Sequence, residues 1–142
     1  MEAATDSVSY AVETELTAVE FIDVLRRSGL AERRPVDEPG TIASMLKNAS
    51  LTVCARDGGG RLIGVARSLT DFSYCCYLSD LAVDRAWQGL GIGRRLIDLT
   101  HEKAGGAKAV TLLLLSAPGA MTYYPQAGLA HMDNCFGRRR TG

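Results

Sequence analysis

The chain has 142 residues, 46% hydrophobic and 23% charged, and Lys plus Arg equals Asp plus Glu at 16 each. That length suits one hydrophobic core, with roughly 68–70% of the unfolded surface removed from water on folding, so a single domain over residues 1–142 is expected. The balanced charge gives no global attraction to nucleic acid or to an anionic membrane, and no apolar run approaches the ~18–20 residues that span a bilayer. Cys54, Cys75, Cys76 and Cys135 show neither C-x-x-C spacing nor paired histidines, so no metal site is expected. The N-terminus lacks a basic-then-apolar signal pattern, which points to reduced thiols in a cytoplasmic protein.

In chain order, "VSYAVET" at residues 8–14 is short and β-biased. Thr17 with Glu20 three residues later forms a capping-box pattern that opens a helix, with Ala18, Phe21, Ile22 and Leu25 on one face and Gly29 as its stop. A second helical pattern carries Ile42, Met45, Leu46 and Ala49 and ends in "KNAS". "LTVCA" and "RLIGVARSL" flank Asp57-Gly58-Gly59-Gly60, which predicts an antiparallel hairpin. A longer strand is expected from about Tyr74 to Val83, then a helix from near Gly91 to Gly105-Gly106. "AVTLLLLS" reads as a strand buried on both faces. A short helix near Met121–Gln126 and a last strand near Leu129–Phe136 complete the pattern, and "GRRRTG" reads as a solvated tail. The order predicts a mixed α/β fold built on one sheet.

Gly89, Gly91 and Gly93 alternate where the long strand gives way to the helix. Such a junction presents unpaired backbone N–H groups at the positive end of a helix dipole, and glycine lets an anion approach them closely. Arg94 and Arg95 oppose that dipole unless an anion is present, so their placement favours a polyphosphate. A dinucleotide fingerprint starting at Gly89 would need glycine where Arg94 stands, and the Gly-Lys-Ser/Thr of a P-loop is absent.

Gln88-Gly89-Leu90-Gly91-Ile92-Gly93 resembles the Q/R-x-x-G-x-G/A signature of the GNAT superfamily of acetyl-CoA-dependent N-acetyltransferases. "YLSDLAVDRAW" before it is similar to that family's strand and connector, as are Gly64 in the third strand and "YYPQAGL" near the end. The resemblance implies a mixed six- to seven-stranded sheet flanked by about four helices, with a V-shaped splay between strands 4 and 5. It implies acetyl-CoA as acyl donor and an amine as acceptor. Backbone amides from Gln88 through Gly89, Leu90, Gly91, Ile92 and Gly93 to Arg94 would hold the pyrophosphate. Leu81, Ala82 and Val83 would pair with the pantetheine arm, and Ser116 would face Val83 across the cleft.

Aligned on Phe-Tyr-x-x-x-Gly-Phe, Tyr124 takes the place of the family's proton donor to the leaving thiolate, with Tyr123 beside it. A phenol of reference pKa near ~10 is protonated at neutral pH and able to donate. Ser79 stands where many relatives carry a carboxylate or histidine base, and a lone serine cannot fill that role. Asp80 is the nearest carboxylate and the candidate for binding the substrate's cation or relaying a proton through water. Strand alternation turns it away from Ser79 unless a bulge re-aims it. Tyr77, Ser79 and Tyr123 are candidates for lining the acceptor pocket. The missing base also leaves open a CoA-binding sensor without turnover. His101 and His131 lack an orienting acid in the sequence, and dimerisation, common among such proteins, is permitted by the apolar last strand.

Overall fold

The computed structural model describes residues 7–142. Helix α1, Ala18–Ser28, starts as its capping pattern predicts: the Thr17 hydroxyl accepts from the Glu20 amide at 3.2 Å. Its face of Phe21, Val24 and Leu25 is fully buried, each side chain contributing roughly 1.5–3 kcal/mol of transfer free energy. Gly29, in the left-handed region, ends the helix, and a 3-10 turn follows at Leu30–Arg33. Helix α2, Pro39–Lys47, begins with a proline whose missing N–H is no loss at that position and ends at Asn48.

Five strands form one sheet in sequence order: β1 Ser9–Val12, β2 Leu51–Arg56, β3 Leu62–Thr70, β4 Cys75–Val83 and β5 Thr111–Leu113. The first four are antiparallel neighbours, and β5 pairs parallel with β4. In the β2–β3 turn the Asp57 carboxylate accepts from the Gly59 and Arg61 amides, both at 2.9 Å, confirming the predicted hairpin. Helix α3, Ile92–Ala104, lies on one face with Ile92, Leu96, Ile97, Thr100 and Ala104 buried at helical spacing. Helices α1 and α2 cover the other face with Phe21, Val24, Leu25 and Ile42. At Gly64 the two layers meet so closely that a Cβ would lie 3.0 Å from Leu96 Cδ1 and 3.3 Å from Ile92 Cγ2.

The C-terminal part differs from the sequence expectation. The run "AVTLLLLS" contributes only the three paired residues of β5, and Thr111 and Leu113 are exposed. It lies at the sheet's edge, so Leu112 and Leu114 reach the core while the alternate positions stay open. Residues 129–136 form no strand: Asp133 and Asn134 fall in a turn, and both residue types are disfavoured in a pleated ladder. The sheet therefore has five strands among the described residues rather than six or seven. The short helix α4 is Tyr123–Gln126, preceded by a 3-10 turn at Pro118–Ala120.

Candidate active site at the splay between β4 and β5

Strand β5 pairs only with Cys75, Cys76 and Tyr77, so the edge of β4 from Leu78 to Val83 has no strand beside it on that side. The Asp84 amide donates to Ile63 of β3 at 2.8 Å. By antiparallel alternation, Leu81 and Val83 then turn their N–H and C=O groups toward the splay, while Ala82 pairs with Val65. The Val83 carbonyl accepts from the Gln88 side-chain amide at 2.9 Å, which ties the end of the strand to the glycine loop.

A bulge sets this geometry. Arg67 pairs with Asp80 and Ser68 with Leu78, leaving Ser79 as the extra residue on β4. Before it, Cys76 and Leu78 pack on the α3 side; after it, Leu81 and Val83 take that side and Ala82 packs beneath α1.

Past Val83, a 3-10 turn at Arg85–Trp87 leads into the loop. Gly89 and Gly91 have φ of 80° and 85°, and nothing lies within 4 Å of where a Cβ would sit on either. Gly91 is the N-cap of α3 and gives it no side-chain capping bond. Gly93 is different, because a Cβ there would overlap the Tyr123 hydroxyl. The Arg94 guanidinium donates to the Gln126 carbonyl at 3.2 Å, and Arg95 lies 6.0 Å from the Tyr10 ring centroid. Both charges thus remain in the first turn while their heads are directed to α4 and β1.

Tyr123 and Tyr124 meet edge to face, with centroids 5.2 Å apart. Burial raises the Tyr124 pKa and the neighbouring Tyr123 adds to the rise, while Arg34 opposes it. Arg34 also donates to the Ser79 carbonyl at the bulge, at 2.8 Å. Burial likewise raises the Tyr123 pKa, against Arg94. Ser116, beyond β5, donates to the Ala117 carbonyl at 2.7 Å.

On the opposite face of β4, the Asp80 carboxylate is fully buried and accepts from both Arg34 Nε and Arg67 Nε. Arg67 also donates to the Ser79 hydroxyl at 3.0 Å and to the Met45 carbonyl at 3.2 Å. At the strand's other end, Arg27 donates to the Asp84 carboxylate at 2.5 Å and to the Leu62 carbonyl at 2.6 Å. Burial works against ionised Asp84, but the Ala86 amide and Arg27 outweigh it and hold its pKa below the ordinary carboxylate value.

The acetyltransferase (GNAT) family matches residues 16–128, a span that contains the splay, the glycine loop and both tyrosines. The chain belongs to the GNAT family. It is 27% identical over 86 residues to the uncharacterized N-acetyltransferase ycf52 of Pyropia yezoensis, covering 58% of this chain and 49% of that protein. The chain thus spans about half the length of the curated relatives it matches. An aminoglycoside acetyltransferase from an uncultured soil metagenome, solved with sisomicin, superposes with a TM-score of 0.71 at 18% identity, covering 96% of this chain and 97% of the other. The GNAT protein YhbS of Escherichia coli, solved with CoA, gives 0.63 at 20% identity, covering 83% and 67%. At these identities the likeness is one of fold.

The GNAT loop fits a pyrophosphate on this chain's own geometry: open space over Gly89 and Gly91, and an α3 N-terminus left without a side-chain cap. Among the described residues no group of three or more His, Cys, Asp or Glu is placed to hold a metal ion. No helix among them is long and apolar enough to cross a membrane. His101 holds the Val110 carbonyl at 2.6 Å, joining α3 to the start of β5. The splay brings together Leu81, Val83, Gln88 and the loop, with Tyr123 at Gly93. Arg34, Arg67, Arg27 and Asp84 are site residues that sequence reasoning misses. The ion pairs that join them to β4 and its end, Arg67–Asp80, Arg34–Asp80 and Arg27–Asp84, span 13, 46 and 57 positions, so no local spacing marks those pairs.

Proposed function

We propose that the chain transfers an acetyl group from acetyl-CoA to a primary amine, of a small molecule or exposed on a protein, by direct transfer in a ternary complex. The observation that carries this reading is the continuity of the free β4 edge with an uncapped, glycine-lined helix N-terminus. Acetyl-CoA, when bound, supplies an activated thioester acyl group.

The backbone of Gln88 to Arg94 would hold the pyrophosphate at the positive end of α3. The edge of Leu81, Ala82 and Val83 would align the pantetheine arm, with Ser116 on the facing wall. Outward amides at Leu81 and Val83 are suited to stabilise negative charge developing on the acyl oxygen. Tyr124, a phenol protonated at neutral pH whose pKa burial raises further, would donate a proton to the departing sulfur. Tyr77, Ser79 and Tyr123 line the acceptor side.

Asp80 takes a positioning role in place of a base. Two guanidiniums occupy its carboxylate, and the Ser79 hydroxyl beside it accepts from Arg67. The amine's proton therefore passes to water.

The test is release of free thiol from acetyl-CoA over a panel of primary amines. Amine-dependent release is the expected result. Tight CoA binding without release on any amine would instead make the chain a CoA-binding module.

A further inference from the structure

A pocket of about 470 Å³ opens between α2 and β3, lined by Gly40, Thr41, Ser44, Met45, Asn48, Arg67 and Leu69. Arg67 is its charged group and is 6% exposed. Of the five N–H donors of a guanidinium, three have partners here: the Asp80 carboxylate, the Ser79 hydroxyl and the Met45 carbonyl. The other two N–H groups have no hydrogen-bond partner among the described residues.

The charge around it is unbalanced. Arg34, which is partly exposed, and buried Arg67 share the single carboxylate of Asp80, so the cluster carries one surplus positive charge. Glu38, at the start of α2, is exposed and accepts from the Thr41 hydroxyl at 3.1 Å, and Lys47 is exposed on the same helix. Neither neutralises a guanidinium withdrawn from water. Ser44 and Asn48 bond to one another at 3.2 Å, and Met45 and Leu69 provide apolar walls. A small anion with a short apolar body satisfies this lining, whereas a second cation meets an uncompensated charge.

We propose that this pocket is the acceptor subsite and that it selects amines carrying a carboxylate, held by Arg67. The inference rests on the acetyl-transfer reading. Leu69 on the pocket's rim pairs with Tyr77 of β4, so the pocket borders the acceptor side, and Arg67 lies opposite Asp80, one strand in from the free edge of β4. The carboxylate and the amine are therefore set at least one to two strand spacings apart, roughly 5–10 Å measured in the plane of the sheet. That distance describes an ω-amino acid or a short peptide with a free N-terminus.

The experiment compares ω-amino acids of increasing chain length with their carboxamides, by thiol release and by calorimetric titration onto the CoA-bound chain. The acid of each pair is expected to show at least tenfold higher kcat/KM and tenfold tighter binding, with an optimum at intermediate length. Ser44→Asp, an exposed change that puts a fixed carboxylate on the pocket, is expected to raise KM for the acids at least tenfold and to narrow the ratio. Arg67→Lys, which keeps the charge on Asp80 but loses the fork, is expected to do the same. Equal values for acids and amides, or a ratio that Ser44→Asp leaves in place, would overturn the selection while acetyl transfer to simple amines stands. CoA binding without turnover of any amine would remove the transfer reading, and the inference with it.

Discussion

Between Leu81 and Arg94 the binding features are main-chain groups, namely an unpaired strand edge, two glycines with positive φ and an uncapped helix end. Around Asp80, on the other face of the same strand, they are side-chain charges, with Arg34 from the segment after α1 and Arg67 from β3. In the proposed function the first region binds through groups every residue owns, so its specificity lies in what is absent: a neighbouring strand, a Cβ, a cap. The second depends on particular side chains packed together, and removal of the carboxylate is expected to leave both guanidinium charges uncompensated.

That contrast sets the expected size of each perturbation. Asp80→Ala leaves two guanidiniums around an empty position, and breaking a buried ion pair costs about 3–5 kcal/mol. Urea denaturation checks this, and a loss under ~1 kcal/mol would mean the cluster is not cohesive. Tyr124→Phe is next: loss of a general acid lowers kcat by about 100-fold or more, with CoA affinity unchanged. The donor is the protonated phenol, and burial raises its pKa above the ordinary value of 10.0. Activity should therefore persist past pH 10 and fall as pH rises through the raised value, an alkaline limb set by Tyr124.

Gly91→Val tests the backbone region alone. Its φ of 85° opposes a β-branched side chain, at a cost of roughly 1–2 kcal/mol, and the new Cβ enters the open space over the loop. CoA affinity should drop about tenfold or more, read by titration, with the Asp80 cluster undisturbed. The smallest effect is expected outside both regions: Thr17→Ala removes the α1 cap at about 1 kcal/mol and should lower the melting temperature without changing CoA affinity.

The two regions also differ in what the sequence reveals. Gln88 to Arg94 and Leu81 to Val83 are contiguous, and their chemistry follows from alternation and helix ends, so that the loop and strand proposed as the cradle can be picked out before any fold is known. The helix starting at Thr17 and the hairpin at Asp57 are legible for the same reason. Asp80 looks like a free carboxylate in the sequence because Arg34 and Arg67 lie 46 and 13 positions away. The bulge at Ser79 is equally hidden, since it shows only as a register change against β3. At the C-terminal end, apolar content alone misleads: "AVTLLLLS" supplies three paired residues because β4 offers it only its first three.

The most direct test of the account is a titration of acetyl-CoA into the ¹⁵N-labelled chain, followed at each backbone amide. The amides of Leu81, Val83, Gly89, Gly91 and Gly93 are predicted to shift together and to saturate with one affinity, while those of β1 and α2 stay in place. Shifts confined to other elements, or none at Leu81 and Val83, would contradict the assignment of the β4 edge and its glycine loop as the cofactor cradle.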